Sequence, residues 1–212
     1  MEIIWNPQEI ESKSMKIIEE YLTGYTFTSG QKAVVKRVVH TTGDPSIVSS
    51  IVFHPAAVVK GLEALRQGAD VFTDVNMLKA GVNDNKVRAF GGQVCCGVAD
   101  AQTVEAARDW GITRAAAAMR LFGRRLDGAV VAVGNAPTAL FEVIDLITKG
   151  TARPALIIGT PVGFVGAAES KELLVEKNLV PYITVKGTRG GSPIAASMLN
   201  ALLYFEGDEK HV

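Results

Sequence analysis

Two periodicities divide the chain. Near its start Ile10, Ser14, Ile17, Ile18 and Tyr21 recur at helical spacing among charged residues, which predicts an amphipathic helix over 7–22. Pro7 directly after Asn6 suits its first turn. A second helix, over about 29–41, takes an apolar side from Val34, Val35, Val38 and Val39. Arg37 and His40, three apart, share a different face of it.

From there the pattern turns to short apolar runs at Ile51–Phe53, Ala69–Thr73, Val94–Cys96, Ala129–Val133, Ala155–Ile158 and Tyr182–Val185. Helical stretches separate most of them, at roughly 55–67, 75–80, 100–109, 112–125, 136–148, 166–177 and 191–204. Apolar strands alternating with helices predict an α/β fold with a mostly parallel sheet covered on both faces. Ligands of such folds bind at the carboxyl ends of the strands. The informative segments are therefore 73–76, 134–138, 159–163 and 186–192. All are small, polar or glycine-rich, a composition that lets a ligand approach backbone N–H groups at helix N-termini and favours anionic groups there.

The length of 212 residues and an apolar content of 48% suit one sizeable core, so a single domain over 1–212 is expected. No apolar run reaches the roughly 18–20 residues that span a bilayer, and the N-terminus has neither the basic nor the apolar region of a secretory signal. The expected compartment is the cytoplasm, with no membrane partner. A formal net charge of zero gives no argument for nucleic-acid binding. Cys95 and Cys96 are adjacent, which is neither metal-site nor CxxC redox spacing, and they read as part of a buried strand.

Histidines are scarce. His211 is beside the C-terminus, and His54 precedes Pro55 at a strand end. His40 closes the second helix, where the helix C-terminus stabilises an imidazolium and Arg37, one turn earlier, opposes it. Such a ring can exchange a proton near neutral pH. It can equally serve only to bond the last helix carbonyls. Arg37 reads as an anion anchor or as a solvated helix face. Ser14 reads as a polar contact or as a serine bonded back to its own helix. Asp70, Asp74 and Asp100 are best read as helix caps. The glycines at 159, 163 and 166 fit neither GxxxxGK[ST] nor GxGxxG. Phosphate or carboxylate binding there stays open.

Taken in order, five stretches are more specific than any one alone: Val38–Asp44 (VVHTTGD), Thr73–Met77 (TDVNM), Gly134–Leu140 (GNAPTAL), Pro161–Lys171 (PVGFVGAAESK) and Arg189–Ser192 (RGGS). Together they resemble the precorrin-8X methylmutase family, also called cobalt-precorrin-8 methylmutase, of cobalamin biosynthesis, over nearly the whole chain. The resemblance implies a three-layer α/β/α, flavodoxin-like fold and a homodimer with active sites at the subunit interface. It implies that a methyl group moves from C-11 to C-12 of a corrin precursor, with no separate cofactor and no metal site. His40 matches the family's catalytic histidine, and Ser14 and Arg37 match substrate contacts. Arg114, Lys171 and Arg189 are further cations available to the carboxylate-fringed substrate. The motifs do not distinguish a metal-free from a cobalt-containing substrate. Two other readings stand beside this one: a phosphosugar or nucleotide enzyme using the 159–166 loop, and a corrinoid carrier without catalysis.

Overall fold

The computed structural model describes residues 3–207, so His211 lies outside the described residues. Helix α1 covers Pro7–Tyr21, and its first amides are capped by the Asn6 side chain at 3.0 and 3.1 Å. Helix α2 covers Ser29–Thr42 and opens with a capping box, in which the Thr28 and Gln31 side chains each accept from the other's backbone N–H. A 3₁₀ turn over Pro45–Ser50 leads into strand β1, Ile51–Phe53. Then follow α3 (Ala57–Arg66), β2 (Val71–Thr73), α4 (Asn76–Gly81), α5 (Asp84–Ala89) and β3 (Val94–Cys95). The chain continues through α6 (Ala101–Trp110), α7 (Arg114–Phe122), β4 (Val130–Val133), α8 (Pro137–Thr148), β5 (Leu156–Gly159), α9 (Ala167–Lys177), β6 (Tyr182–Val185) and α10 (Ser192–Tyr204).

The sheet order is β1-β6-β5-β4-β2-β3, parallel throughout except for β1, which runs antiparallel to β6. Without β1, the order 3-2-4-5-6 is the flavodoxin-like winding, and the strand order reverses between β2 and β4. Alternate side chains feed two cores, as a sheet buried on both faces requires. Val71, Val130, Ala132, Leu156, Ile158, Ile183 and Val185 share a core with α3 and α10, behind which α2 packs. Phe72, Val131, Val133, Ile157 and Tyr182 face α7, α8 and α9. Helix α10 is apolar nearly all round because it is sandwiched between the sheet and α2.

All six expected strands form, trimmed by a residue or two at some ends. The expected helix 112–125 stops at Phe122, where Gly123 takes φ 50° and a 3₁₀ turn follows. Helix α5 was not anticipated, since its single buried apolar side chain, Val87, leaves no period to read. Helix α1 forms over the expected range but buries little: Ile18 is in the core while Ile10, Ile17 and Tyr21 are exposed. Among the described residues no helix is long and apolar enough to cross a membrane.

Candidate active site

The antiparallel strand β1 decides where His40 lies. Ile51, at its start, pairs with Val185, at the carboxyl end of β6. The chain just before β1 must therefore lie at the carboxyl edge of the parallel strands. The Lys186 amide confirms it by donating to the Ser50 carbonyl at 2.8 Å. Only residues 43–50 separate this point from α2, so the last turn of α2 belongs to the same edge. Helix α2 ends there because Gly43 adopts φ 63°, ψ 16°, and its amide reaches the Val39 carbonyl at 2.9 Å. Any side chain at position 43 would strain that left-handed cap.

His40 is exposed, and its ring makes no hydrogen bond among the described residues. It does not bond the last helix carbonyls; Thr42 does, donating to Val38 at 2.9 Å. Arg37, one turn earlier, pairs with Glu11 of α1 at 2.8 Å. Both partners are close to half-exposed, so the pair contributes little and Arg37 can exchange Glu11 for a ligand carboxylate. Ser14, one turn beyond Glu11, donates its hydroxyl to the Ile10 carbonyl at 2.8 Å, the back-bonded form expected of a mid-helix serine. Arg37 and Glu11 also face an open cleft of about 750 Å³, lined further by Thr41, Val82, Asn83, Asn200 and Tyr204. Asn200 orders one wall, accepting from the Asn83 amide at 2.9 Å and donating to the Gly81 carbonyl at 2.8 Å. Nothing local in the sequence marked this wall, because its members are more than 100 residues apart.

The glycine-rich loops behave differently from expectation. Asp74 is not a cap for the helix that follows it. Its carboxylate is fully buried and crosses the point where strand order reverses, accepting from the amides of Gly134, Asn135 and Ala136 at 3.0, 2.8 and 2.7 Å. Burial pushes its pKa up, against the three amides, which favour the charged form. The amides expected to receive a ligand's anion there are thus taken by the protein's own. The other loops bind each other: the Gly163 amide donates to Thr188 at 3.1 Å and the Gly191 amide to Thr160 at 2.8 Å. A phosphate reading of the 159–166 loop gains nothing from this arrangement, and Glu169 adds a negative charge to the first turn of α9.

The other sequence candidates lie at the opposite edge of the sheet or within its scaffold. Asp70 receives the Gln93 amide at 3.0 Å at the opposite edge, and Asp100 makes no side-chain cap to α6. His54 follows the far end of β1, where its Nδ1 accepts from the Ala56 amide at 3.0 Å and its ring meets Tyr182 edge-on. Cys95 and Cys96 are half-buried rather than buried, and burial raises the Cys95 thiol pKa, which keeps it protonated and a poor nucleophile. Lys171 is almost fully buried and is therefore no rim cation. Arg189 is exposed but engaged, its guanidinium on Ser46 at 3.0 Å and on Asp44 at 2.9 Å.

A family model described as precorrin-8X methylmutase matches residues 9–205, which takes in all the elements just described except the first two residues of α1. The chain belongs to the precorrin-8X methylmutase family. A cobalt-precorrin-8 methylmutase of Priestia megaterium is 44% identical over 92% of this chain and 87% of its own. A precorrin-8X methylmutase of a Sinorhizobium species is 40% identical over 91% and 92%. Among solved structures, the precorrin-8X methyl mutase of Thermus thermophilus superposes with a TM-score of 0.83 at 37% identity, covering 92% of this chain and 95% of that one. Names of both metal states thus occur among relatives of similar identity, and family membership does not separate them.

Proposed function

We propose that this chain is an isomerase of cobalamin biosynthesis that moves a methyl group from C-11 to C-12 of precorrin-8X or cobalt-precorrin-8, giving hydrogenobyrinate or cobyrinate. In this reading His40 is the proton donor and acceptor, Ser14 and Arg37 contact the substrate, and no separate cofactor takes part. The whole of 1–212 acts as one domain, as a homodimer in the cytoplasm. The observation that carries the reading is the exposed His40 ring, without a hydrogen bond among the described residues, on the last turn of α2, which the antiparallel β1 ties to the carboxyl edge of the sheet.

The substrate is a wide apolar macrocycle fringed with carboxylates. Arg37 has only a half-exposed ion pair to give up for one of them. The migration itself is intramolecular. His40 donates a proton to the ring as its conjugation rearranges and takes one back from the product, so the imidazole ends as it began. General acid–base help of this kind is worth about 10²–10⁴-fold in rate. Holding the macrocycle so that the migrating carbon faces its target adds more.

The test is direct. Purified protein is mixed with precorrin-8X or its cobalt form, and the ring absorbance is followed. Conversion by the protein alone is expected, and H40A should bind the macrocycle yet lose about 10²-fold or more of the rate. Turnover by H40A at the wild-type rate would remove His40 from the mechanism.

A further inference from the structure

A chain of contacts runs from the buried interior to the end of α2. Lys171, on α9, is 1% exposed and makes no ion pair among the described residues. Its Nζ donates at 2.6 Å to the backbone carbonyl of Arg189. A buried ammonium without a carboxylate costs stability unless its hydrogen bonds are good. Its placement therefore serves something other than packing. Arg189 stands in the β6–α10 loop, and its guanidinium leaves that loop to grip Asp44 Oδ2 at 2.9 Å and Ser46 Oγ at 3.0 Å. The Asp44 amide in turn donates to Thr42 Oγ1 at 3.3 Å, and Thr42 closes the last turn of α2. An exposed arginine–aspartate pair alone fixes little. Here the arginine's own backbone is pinned from below, so the strut has a rigid foot.

We propose that Lys171 and Arg189 are positioning residues, which through Asp44 and Ser46 fix the His40-bearing end of α2 over the carboxyl edge of the sheet. Neither is required to touch the substrate. The inference rests on His40 being the acid–base group proposed above. It also explains why a lysine, and not an apolar residue, fills a buried position of α9: only a donor can hold the Arg189 carbonyl.

The test uses the full chain with R189M, D44N and K171M, each checked by thermal unfolding, and reads both single-turnover rate and His40 itself. R189M is expected to lower kcat about 10–100-fold, with KM within about twofold, and R189K should recover part of the loss. In an H40A background R189M should change the residual rate little. The ring resonances of isotope-labelled His40 should shift or broaden in R189M and D44N and lie closer to wild type in R189K. An unchanged kcat in R189M, an equal drop in both backgrounds, or a raised KM with kcat intact would each overturn the proposal, the last by making Arg189 a substrate contact. If H40A itself turned over normally, the acid–base reading would fail separately. The resonances would then decide alone, and signals unmoved by R189M would reject the strut.

Discussion

Two buried charged side chains make the sharpest predictions. Asp74 satisfies three amides of the loop before α8. D74N keeps the shape but leaves one oxygen for those donors and turns an NH₂ toward them. Unmet buried donors cost about 1–3 kcal/mol, so urea unfolding of D74N at pH 7 should show a loss of about 2–3 kcal/mol. Lys171 gives a pH dependence. Burial lowers its pKa from 10.5 to about 8. Below pH 8 both folded and unfolded chains carry the proton, and the fold bears the full penalty of the buried charge. Between about 8 and 10.5 the unfolded chain holds a proton that the folded chain has released, so stability rises with pH through that window. The gain is about 2 kcal/mol by pH 10. It should appear as the difference between wild type and K171M in unfolding free energy at pH 7.5 and pH 10. Parallel pH profiles for the two proteins would show that the ammonium is better solvated than its burial indicates.

At the scale of elements, the loops at the carboxyl edge hold together by close backbone contact. A β-carbon at Gly190 would sit 2.2 Å from the Thr160 carbonyl oxygen and 2.6 Å from that of Pro161. G190A must therefore part the β5–α9 and β6–α10 loops, at about 1–3 kcal/mol. A melting temperature lowered by several degrees, together with reduced turnover, is the expected result. The sequence revealed these loops as glycine-rich and strand-terminal but not this use of the glycines. Composition alone cannot say whether a small residue admits a ligand or another loop. The strands were legible because Val130–Val133 or Leu156–Ile158 are apolar on both sides and short. Helical spacing placed His40 and Arg37 on one face but left their roles open; the family resemblance alone singled them out. The direction of β1 was not, since a run of Ile-Val-Phe looks alike in either orientation, and on that direction the placement of His40 depends. The Asp74–loop and Arg189–Asp44 links join residues 60 and 145 positions apart, beyond any local pattern.

For the whole molecule, the open question is what meets the outer face of α1. Ile10, Ile17 and Tyr21 follow each other at seven and four residues, so they form one stripe along the helix, and they are 44%, 47% and 54% exposed. Trp5 and Ile3, just before the helix, are 82% and 62% exposed and extend the apolar surface. The polar flank lies against α2: Glu19 takes both Lys32 and Lys36, and Glu11 takes Arg37. The helix is held on its inner side by Ile18 and Met15 packed on the core, with ion pairs along the flank, while a second apolar stripe faces outward. In the homodimer reading this stripe is where a second copy rests, close to the Arg37 pair. I17D should then shift the protein from dimer to monomer in sedimentation at micromolar concentration. The local cost in helix α1 should be small, because Ile17 supports no core, and circular dichroism should be unchanged. If the interface also completes the site, the variant's turnover per chain should fall at low protein concentration and recover at high concentration. A wild-type sedimentation coefficient for I17D would move the contact to another face.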